Sequence, residues 1–419
     1  MALSLALLCG VPELAPDAGE PLATQLLAAP PPDAGVADPY EWKVFPVVAY
    51  NSDIGFEFGA FGVFNRLGPP GLPYHWSLAA QAATSLKGRP GGGLELPVHD
   101  DNLTFDYRSL DGQWRATLAL WFWQAANAGY YGLGNQSPPE GDPTATSVRP
   151  TQYVRSELVA SASGGWQLLP ALRVRGGLAV QRLAPGVYPG STLARAQGVE
   201  PLLLGLAPHA SLIAAAGLEL DTRDQELSPR HGAWLELTAR GAVGPVTGND
   251  LTFGGVTLHL RGYHEVWPGR VVLAGRVLLD AVFGRPPLHQ LSRSGGFSEV
   301  WMLGGSDGVR GLPEGRYQGR LRLAANLEAR VHLLAFGFWD QRFELGVVAF
   351  ADAGRVWADW TPRPDLDGQG LGLHPAFGGG VRLRWGDTVL VRFDVGYAPA
   401  PGGTPQDPLG IYFDLGQVF

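Results

Sequence analysis

Residues 320–333 read RLRLAANLEARVHL, and their polar and apolar side chains alternate almost without interruption. Side chains on a β-strand point to opposite faces in turn, so this stretch predicts a strand with one polar and one apolar face. The polar face carries Arg322, Asn326, Glu328 and Arg330. A soluble sheet can also be two-faced, but this density of charge fits a polar barrel lumen whose leucines and valines face lipid.

The composition of the whole chain agrees with a membrane barrel. Charged residues make up 17% of the 419 residues, while glycine (59) and proline (35) are abundant. A soluble globular chain carries roughly 25% charged residues. No window approaches the ~18 apolar residues of a transmembrane helix. The other structure that satisfies all of its backbone hydrogen bonds in lipid is a closed β-barrel. A large soluble β-sandwich or propeller is the alternative at this point.

Strand-like runs separated by turn-forming residues fill the chain after residue 40. We count sixteen of them and predict an all-β, antiparallel transmembrane barrel in a single domain, 41–419. The predicted strands are 43–50, 53–65, 74–87, 101–110, 112–126, 151–168, 170–184, 209–223, 231–243, 250–267, 269–283, 316–335, 341–357, 374–386, 387–398 and 410–419.

The connections between these strands alternate in length. Those after even-numbered strands are short, as at Asp111-Gly112, Leu169-Pro170 and Pro268-Gly269, whereas most of those after odd-numbered strands are longer. Tight periplasmic turns and long external loops are the expected asymmetry of an outer-membrane barrel. A sandwich has no reason to keep this parity. We therefore predict localisation in the outer membrane of a Gram-negative bacterium, with membrane lipids as neighbours.

The longest predicted external loop, 284–315, ends in a glycine-rich segment around Arg310. Gly304, Gly305 and Gly311 permit positive φ angles, so the arginine can be presented at the tip of a tight turn. An isolated arginine of this kind is usually a solvated surface charge. An arginine inside a confined lumen would instead need carboxylates around it, because guanidinium binds them with matched geometry.

Several motifs occur together and in order along the chain. Val309-Arg310-Gly311, Phe350-x-Asp352-x-Gly354 and Asn326-x-Glu328 resemble the barrel signatures of the BamA/TamA outer-membrane assembly superfamily, also called the bacterial surface antigen family. The resemblance implies that this sixth external loop folds inward and that Arg310 pairs with Asp352 and Glu328. It further implies outer-membrane biogenesis, or protein or lipid export and insertion, as the function.

The two ends of the chain carry weaker signals. At the C-terminal end, Phe413, Gly416 and Phe419 resemble the assembly signal of barrel precursors, and we expect Ile411, Phe413, Leu415 and Phe419 to share one strand face. At the other end, residues 1–40 predict a signal-like, disordered lead-in without a basic start. No POTRA domain fits in it, so we expect a barrel whose periplasmic partner, if it has one, is a separate chain or a substrate protein.

Other functions have less support in the sequence. The net charge of −8 argues against a nucleic-acid partner. The histidines show no metal-ligand spacing, so we expect no metal, no cofactor and no enzyme activity, although His289 with Asp307 is a candidate catalytic pair. The Trp121-Phe122-Trp123 run and Trp339 suit interfacial aromatic girdles. A passive porin and a surface-exposed binding or enzymatic barrel remain the alternatives.

Overall fold

A computed structural model describes residues 40–67, 74–225, 228–245, 251–297, 299–338, 341–385, 389–399 and 408–419. The predicted lead-in, the turns at 68–73 and 386–388 and the side chain of Trp339 lie outside the described residues. Where the structure is described, the chain is almost entirely β-strand, joined by turns and loops.

Sixteen long strands form one antiparallel sheet. In chain order they are β1 (Tyr40–Asn51), β2 (Gly55–Leu67), β3 (Tyr74–Gly88), β4 (Val98–Arg108), β5 (Trp114–Gly129), β6 (Gln152–Leu169), β7 (Leu172–Gly186), β8 (His209–Asp221), β9 (Gly232–Pro245), β10 (Phe253–Trp267), β11 (Val271–Gly284), β12 (Leu321–Phe338), β13 (Gln341–Trp357), β14 (His374–Trp385), β15 (Val389–Tyr397) and β16 (Leu409–Leu415). Each strand pairs with its neighbour in sequence, and β16 pairs with β1, which closes the barrel. The predicted fold and strand number are confirmed.

Short elements decorate the loops. A two-residue strand, Leu94–Glu95, pairs with the end of β3. The helical turns are α1 (Thr192–Ala196), α2 (Pro364–Asp367) and the 3-10 helix Leu288–Leu291. No helix in the described ranges is long and apolar enough to cross a membrane.

The strands are two-faced in the way that the sequence predicts. In β12, Arg322, Asn326 and Glu328 are buried, whereas Leu327 on the opposite face is 56% exposed. A register shift after His332 interrupts the alternation near the end of this strand. Because the exposed face is apolar and the buried face is polar, the barrel presents hydrocarbon-compatible side chains outward.

Exposed tryptophans lie at strand ends on the short-turn side of the barrel, and Trp121 and Trp123 are not among them. Trp114, Trp166, Trp267 and Trp385 are exposed at strand ends next to the short turns. Trp121 and Trp123, by contrast, are only 1% and 2% exposed. Both lie on the buried face of β5 together with Arg115 and Thr117, so the girdle prediction was wrong for Trp121 and Trp123.

The closing seam is much shorter than the other ladders. Its two residue pairs are Tyr50 with Phe413 and Asn51 with Tyr412, whereas the β1–β2 ladder runs along the whole of β1. The amide of Ser52 adds one hydrogen bond to the carbonyl of Ile411, at 3.1 Å.

The last strand ends earlier than predicted. β16 stops at Leu415, and Gly416 follows with φ of +83°, a left-handed conformation that suits glycine. The chain therefore turns out of the sheet, and Phe419 is buried rather than exposed with Ile411 and Phe413. The expectation of a shared strand face is wrong for Phe419.

Candidate functional site

The tip of the loop between β11 and β12, residues 285–320 and called loop 6 below, is a glycine-dependent turn. The amide of Gly305 donates to the carbonyl of Leu312 at 2.9 Å, and Gly304 and Gly311 have φ of +120° and +96°. A Cβ atom on Gly304 would lie 1.8 Å from the carbonyl oxygen of Pro313. These glycines allow the close backbone crossing that holds Val309 and Arg310 at the tip.

Arg310 makes a paired contact with Asp352 of β13. Its Nε and Nη2 atoms lie 2.8 Å and 3.0 Å from the two carboxylate oxygens of Asp352, and its backbone amide donates to the same group at 3.1 Å. The Nη1 atom donates to Glu328 of β12 at 2.7 Å. All three side chains are buried. Guanidinium and carboxylate match as forks, so this geometry fixes the direction of the arginine as well as its charge.

The charge of Arg310 is secured by its surroundings. Burial by itself would lower the pKa of this guanidinium, but the carboxylates of Asp352, Glu328 and Asp394 outweigh it and raise the pKa above its ordinary value. The arginine is therefore a permanent cation at the tip of loop 6. Removing one member of such a buried pair costs on the order of 3–5 kcal/mol, because it leaves an uncompensated charge.

Each named position of the Phe350-x-Asp352-x-Gly354 segment makes a different kind of contact with the loop tip. The ring of Phe350 lies 3.4 Å from the guanidinium carbon of Arg310, and Asp352 pairs with the charge. At Gly354 a Cβ would lie 2.9 Å from Cγ2 of Val309. Three successive inward positions of β13 thus make three kinds of contact with the loop tip: a cation–π contact, an ion pair and a close apolar contact.

Asn326 links the tip to two strands. Its side-chain amide donates to the carbonyl of Gly308 at 2.7 Å and to Asp352 at 2.8 Å. Its oxygen accepts from Nε of Arg276, on β11, at 3.0 Å. Both the oxygen and the nitrogen of this side chain are hydrogen-bonded. Asn326 thereby connects the Asp352 carboxylate to the backbone of the loop.

A family model described as the Omp85 superfamily domain matches residues 158–419, which is more than half of the chain. The chain belongs to the Omp85 superfamily. Membership points to a barrel of the Gram-negative outer membrane, and to a group of insertion or transport proteins rather than enzymes. No curated protein matches the sequence.

Solved structures with the same fold include relatives of two kinds. BamA from Haemophilus ducreyi, lacking POTRA domains 1–3, is 16% identical with a TM-score of 0.59 over 91% of this chain and 70% of that chain. CdiB from Escherichia coli is 12% identical with a TM-score of 0.61 over 99% of this chain and 74% of that chain. CdiB from Acinetobacter baumannii is 11% identical, with a TM-score of 0.51 over 91% and 60%. These likenesses show the fold.

Charged residues that the sequence analysis did not single out complete the site of this Omp85 barrel. Asp394 of β15 lies 3.4 Å from Arg310 and accepts from Arg382 of β14 at 2.6 Å. Arg392 bridges Asp307 of loop 6 and Asp414 of β16, at 2.9 Å each. Polar and apolar side chains alternate along 389–397, which places Arg392 and Asp394 on the same face of β15. The alternation does not show, however, that this strand lies close to loop 6.

In this Omp85 chain, loop 6 also contacts the barrel strands at residues away from its tip. Asp280 of β11 accepts from the amide of Gly295 at 2.9 Å, and Glu236 of β9 accepts from the amide of Phe297 at 3.0 Å. Arg293 lies over the rings of Trp123 and Trp301, at 5.2 Å and 4.7 Å. The inward tryptophans thus contact a loop cation, which gives them a different role from the predicted girdle.

Two loop carboxyls have shifted proton affinities. Burial raises the pKa of Glu299 to about 7, against the opposing effect of Arg293. Burial and the nearby Asp53 raise the pKa of Glu314 to about 8. Both groups titrate around neutral pH, so the charge of loop 6 depends on pH in the physiological range.

The remaining predicted site residues are dispersed. Phe413 is partly exposed on the outer face, whereas the carbonyl of Phe419 accepts from Arg330 at 2.7 Å and its ring lies beside Arg276. His289 contacts Gln181 at 3.1 Å, while Asp307 pairs with Arg392. Among the described residues, no three His, Cys, Asp or Glu side chains are placed to hold a metal ion.

Proposed function

We propose that this Omp85 barrel inserts proteins into the outer membrane or secretes them across it, and that it opens at the seam between β1 and β16. The observation that carries the proposal is the length of the seam, which has two residue pairs where β1–β2 has a full ladder. Few hydrogen bonds have to break for the seam to open. Separating two strands that share a long ladder would leave many backbone groups without hydrogen bonds in lipid.

The free part of β1 indicates the class of client. From Val44 to Ala49, no described strand pairs with β1 on the β16 side. Trp42, Val44 and Val48 are exposed on its outer face. A sheet edge with unsatisfied backbone groups pairs readily with another extended chain. The client that best fits is therefore a polypeptide in extended form, such as the strand of an unfolded barrel.

We further propose that loop 6 lies inside the barrel and obstructs passive diffusion. The ion pairs of Arg310 with Asp352 and Glu328, and the hydrogen bonds that Asp280 and Glu236 accept from loop amides, support this placement. A simple porin needs an open aqueous lumen, so the buried loop favours a regulated barrel over the porin alternative. A separate periplasmic partner is part of this proposal.

The experiment is a reconstituted insertion assay. Liposomes containing the purified barrel receive a urea-unfolded outer-membrane barrel as client, and folded client is measured by protease protection and heat-modified migration. We expect faster client folding than in empty liposomes or in liposomes with an unrelated eight-stranded barrel. Equal rates in all three would contradict the proposal, and a large steady conductance in the same membranes would favour the porin.

A further inference from the structure

The last residue pair of the seam is held from both sides by the same loop segment. Asn51 of β1 and Tyr412 of β16 are partners across the seam, and each side chain is 1% exposed. The hydroxyl of Tyr412 accepts from the amide of Gly311 at 3.0 Å. The side-chain amide of Asn51 donates to the carboxyl of Glu314 at 3.1 Å. Four consecutive residues of loop 6, 311–314, therefore span the two edges.

The β1 side of this contact is firmly attached to the barrel wall. The amide of Glu314 also donates to the carboxylate of Asp53 at 3.2 Å, in the turn after β1. Lys87 of β3 and Asn127 of β5 donate to the carbonyl of Asp53, at 2.6 Å and 2.8 Å. Loop 6 thus joins a turn that is already fixed to two other strands.

On the other side of the seam, Gly311 makes a close backbone contact with the end of β15, the strand that pairs with β16. A Cβ atom on Gly311 would lie 2.9 Å from the amide nitrogen of Ala398 and 3.0 Å from the carbonyl carbon of Gly396, at the end of β15. The segment can approach this edge so closely because residue 311 is glycine. Movement of β15 and β16 away from β1 would therefore separate contacts on Gly311 from contacts on Glu314.

We propose that residues 311–314 act as a latch that holds the β1–β16 seam shut, with Tyr412 and Glu314 as the residues that position it. The latch rests on the proposed function in one respect, that the seam is where the barrel opens. In this arrangement loop 6 has two tasks, since its Arg310 end is anchored on β12 and β13 while the following residues fasten the seam.

A cavity beside the latch makes release feasible. It has a volume of about 220 Å³ and is lined by Asp53, Lys87, Tyr131, Trp301, Glu314 and Tyr412, among others. Water occupies about 30 Å³ per molecule in the liquid, so several waters fit. Groups freed from the latch can be hydrated there, and opening does not require buried polar atoms to stay unsatisfied.

The test is amide hydrogen exchange of the barrel in lipid nanodiscs, without any client. Tyr412→Phe removes only the hydroxyl, and Glu314→Ala removes the carboxyl. A lost hydrogen bond of about 1 kcal/mol corresponds to about a fivefold change in an opening equilibrium. We expect about fivefold faster exchange in peptides covering Ser52 and Ile411, and unchanged exchange between β12 and β13. Tyr397→Phe, on an exposed outward tyrosine, and Glu140→Ala, in an exposed loop, serve as matched controls.

A disulfide lock separates seam opening from local loosening. Tyr50 and Phe413 are partners in the seam and both point outward, so cysteines at these positions can be oxidised across it. Locking should abolish the faster exchange of both variants. Unchanged exchange in both variants, a rise that persists in the locked barrel, or a rise spread over all strands would overturn the latch. Since no client is present, failure of client insertion would count against the proposed function and leave this result standing.

Discussion

At the scale of single residues, Arg310 is held through all of its nitrogen atoms, because each of them donates to a carboxylate. Asp352 accepts four hydrogen bonds, three from Arg310 and one from Asn326, and the remaining guanidinium nitrogen meets Glu328. A lysine could supply the charge but not the fork, because its ammonium is a point charge on a flexible stem. The site therefore depends on guanidinium geometry and not on positive charge alone.

We expect Arg310→Ala to destabilise the barrel by about 3–5 kcal/mol, because Asp352 and Glu328 would be left buried without their cation. Arg310→Lys should recover only part of this loss. Urea-dependent unfolding in detergent, followed by tryptophan fluorescence, measures both. The control is Arg195→Ala, since Arg195 pairs with Asp142 at 2.8 Å but is 45% exposed, and we expect little change there. Equal effects of Arg310→Ala and Arg195→Ala would contradict the buried pairing.

Gly354 offers a test of packing at the loop tip. An added Cβ would lie 2.9 Å from Val309 and 3.1 Å from Leu303, so Gly354→Ala should cost about 1–3 kcal/mol through overpacking. Gly262→Ala is the matched control, because no atom lies within 4 Å of its Cβ position. The double variant with Val309→Ala should recover part of the stability. Thermal unfolding is the measurement, and an unaffected Gly354→Ala barrel would show that the tip packs elsewhere.

Part of this site is visible in the sequence. The alternation in β12 put Asn326 and Glu328 on one polar face, and the motif resemblance implied that Arg310 pairs with Glu328 and Asp352. Asp394 and Tyr412 were not anticipated, because each becomes a neighbour of the loop only when the barrel closes. A pattern of period two reports the face of a strand, but not which distant strand the loop approaches.

At the scale of elements, loop 6 is a buried connection with titratable groups. The pKa of Glu314 is raised to about 8 by burial and by Asp53, and Arg293, Asp307, Lys87 and Asn51 also face this region. A buried acid with a raised pKa contributes fully below its unfolded value of 4.5, and that contribution is lost as the pH rises through 8. The loop should therefore be held most firmly in mildly acidic solution.

This gives a pH prediction for a single substitution. Between pH 5 and pH 9 the unfolding temperature of the unmodified barrel should fall relative to that of Glu314→Gln, which cannot ionise. Differential scanning fluorimetry at several pH values measures the difference, with Glu140→Gln, in an exposed loop, as the control. A constant difference over the whole range would mean that Glu314 does not titrate in the folded barrel.

The ends of elements were the weakest part of the sequence-based prediction. β16 was expected to reach residue 419 but ends at Leu415, where Gly416 turns the chain inward and Arg330 binds the carbonyl of Phe419. Trp121 and Trp123 lie on the buried face of β5, where Arg293 of loop 6 lies over both rings. The inward turn after Leu415 depends on a contact between segments far apart in sequence, which local periodicity does not report.

At the scale of the whole molecule, the closed barrel and the alternation of short and long connections were predictable. Turn-forming residues mark where strands end, and they therefore indicate the number of strands and the lengths of the loops. In the proposed arrangement, loop 6 obstructs the lumen and so limits the conductance of the closed barrel. We expect single-channel recordings of the unmodified barrel to show low conductance and those of Arg310→Ala to show a larger and noisier one, since the loop tip loses its anchor. A large steady conductance before mutation would contradict an obstructed lumen.

Client insertion through a seam that can be locked and unlocked tests whether the barrel works by opening between β1 and β16. The variant Tyr50→Cys with Phe413→Cys is assayed in liposomes under oxidising and then reducing conditions. The control is Val48→Cys with Phe58→Cys, an outward pair in the long β1–β2 ladder. We predict that oxidation abolishes insertion only in the seam variant and that reduction restores it. Full activity with the seam locked would contradict opening between β1 and β16.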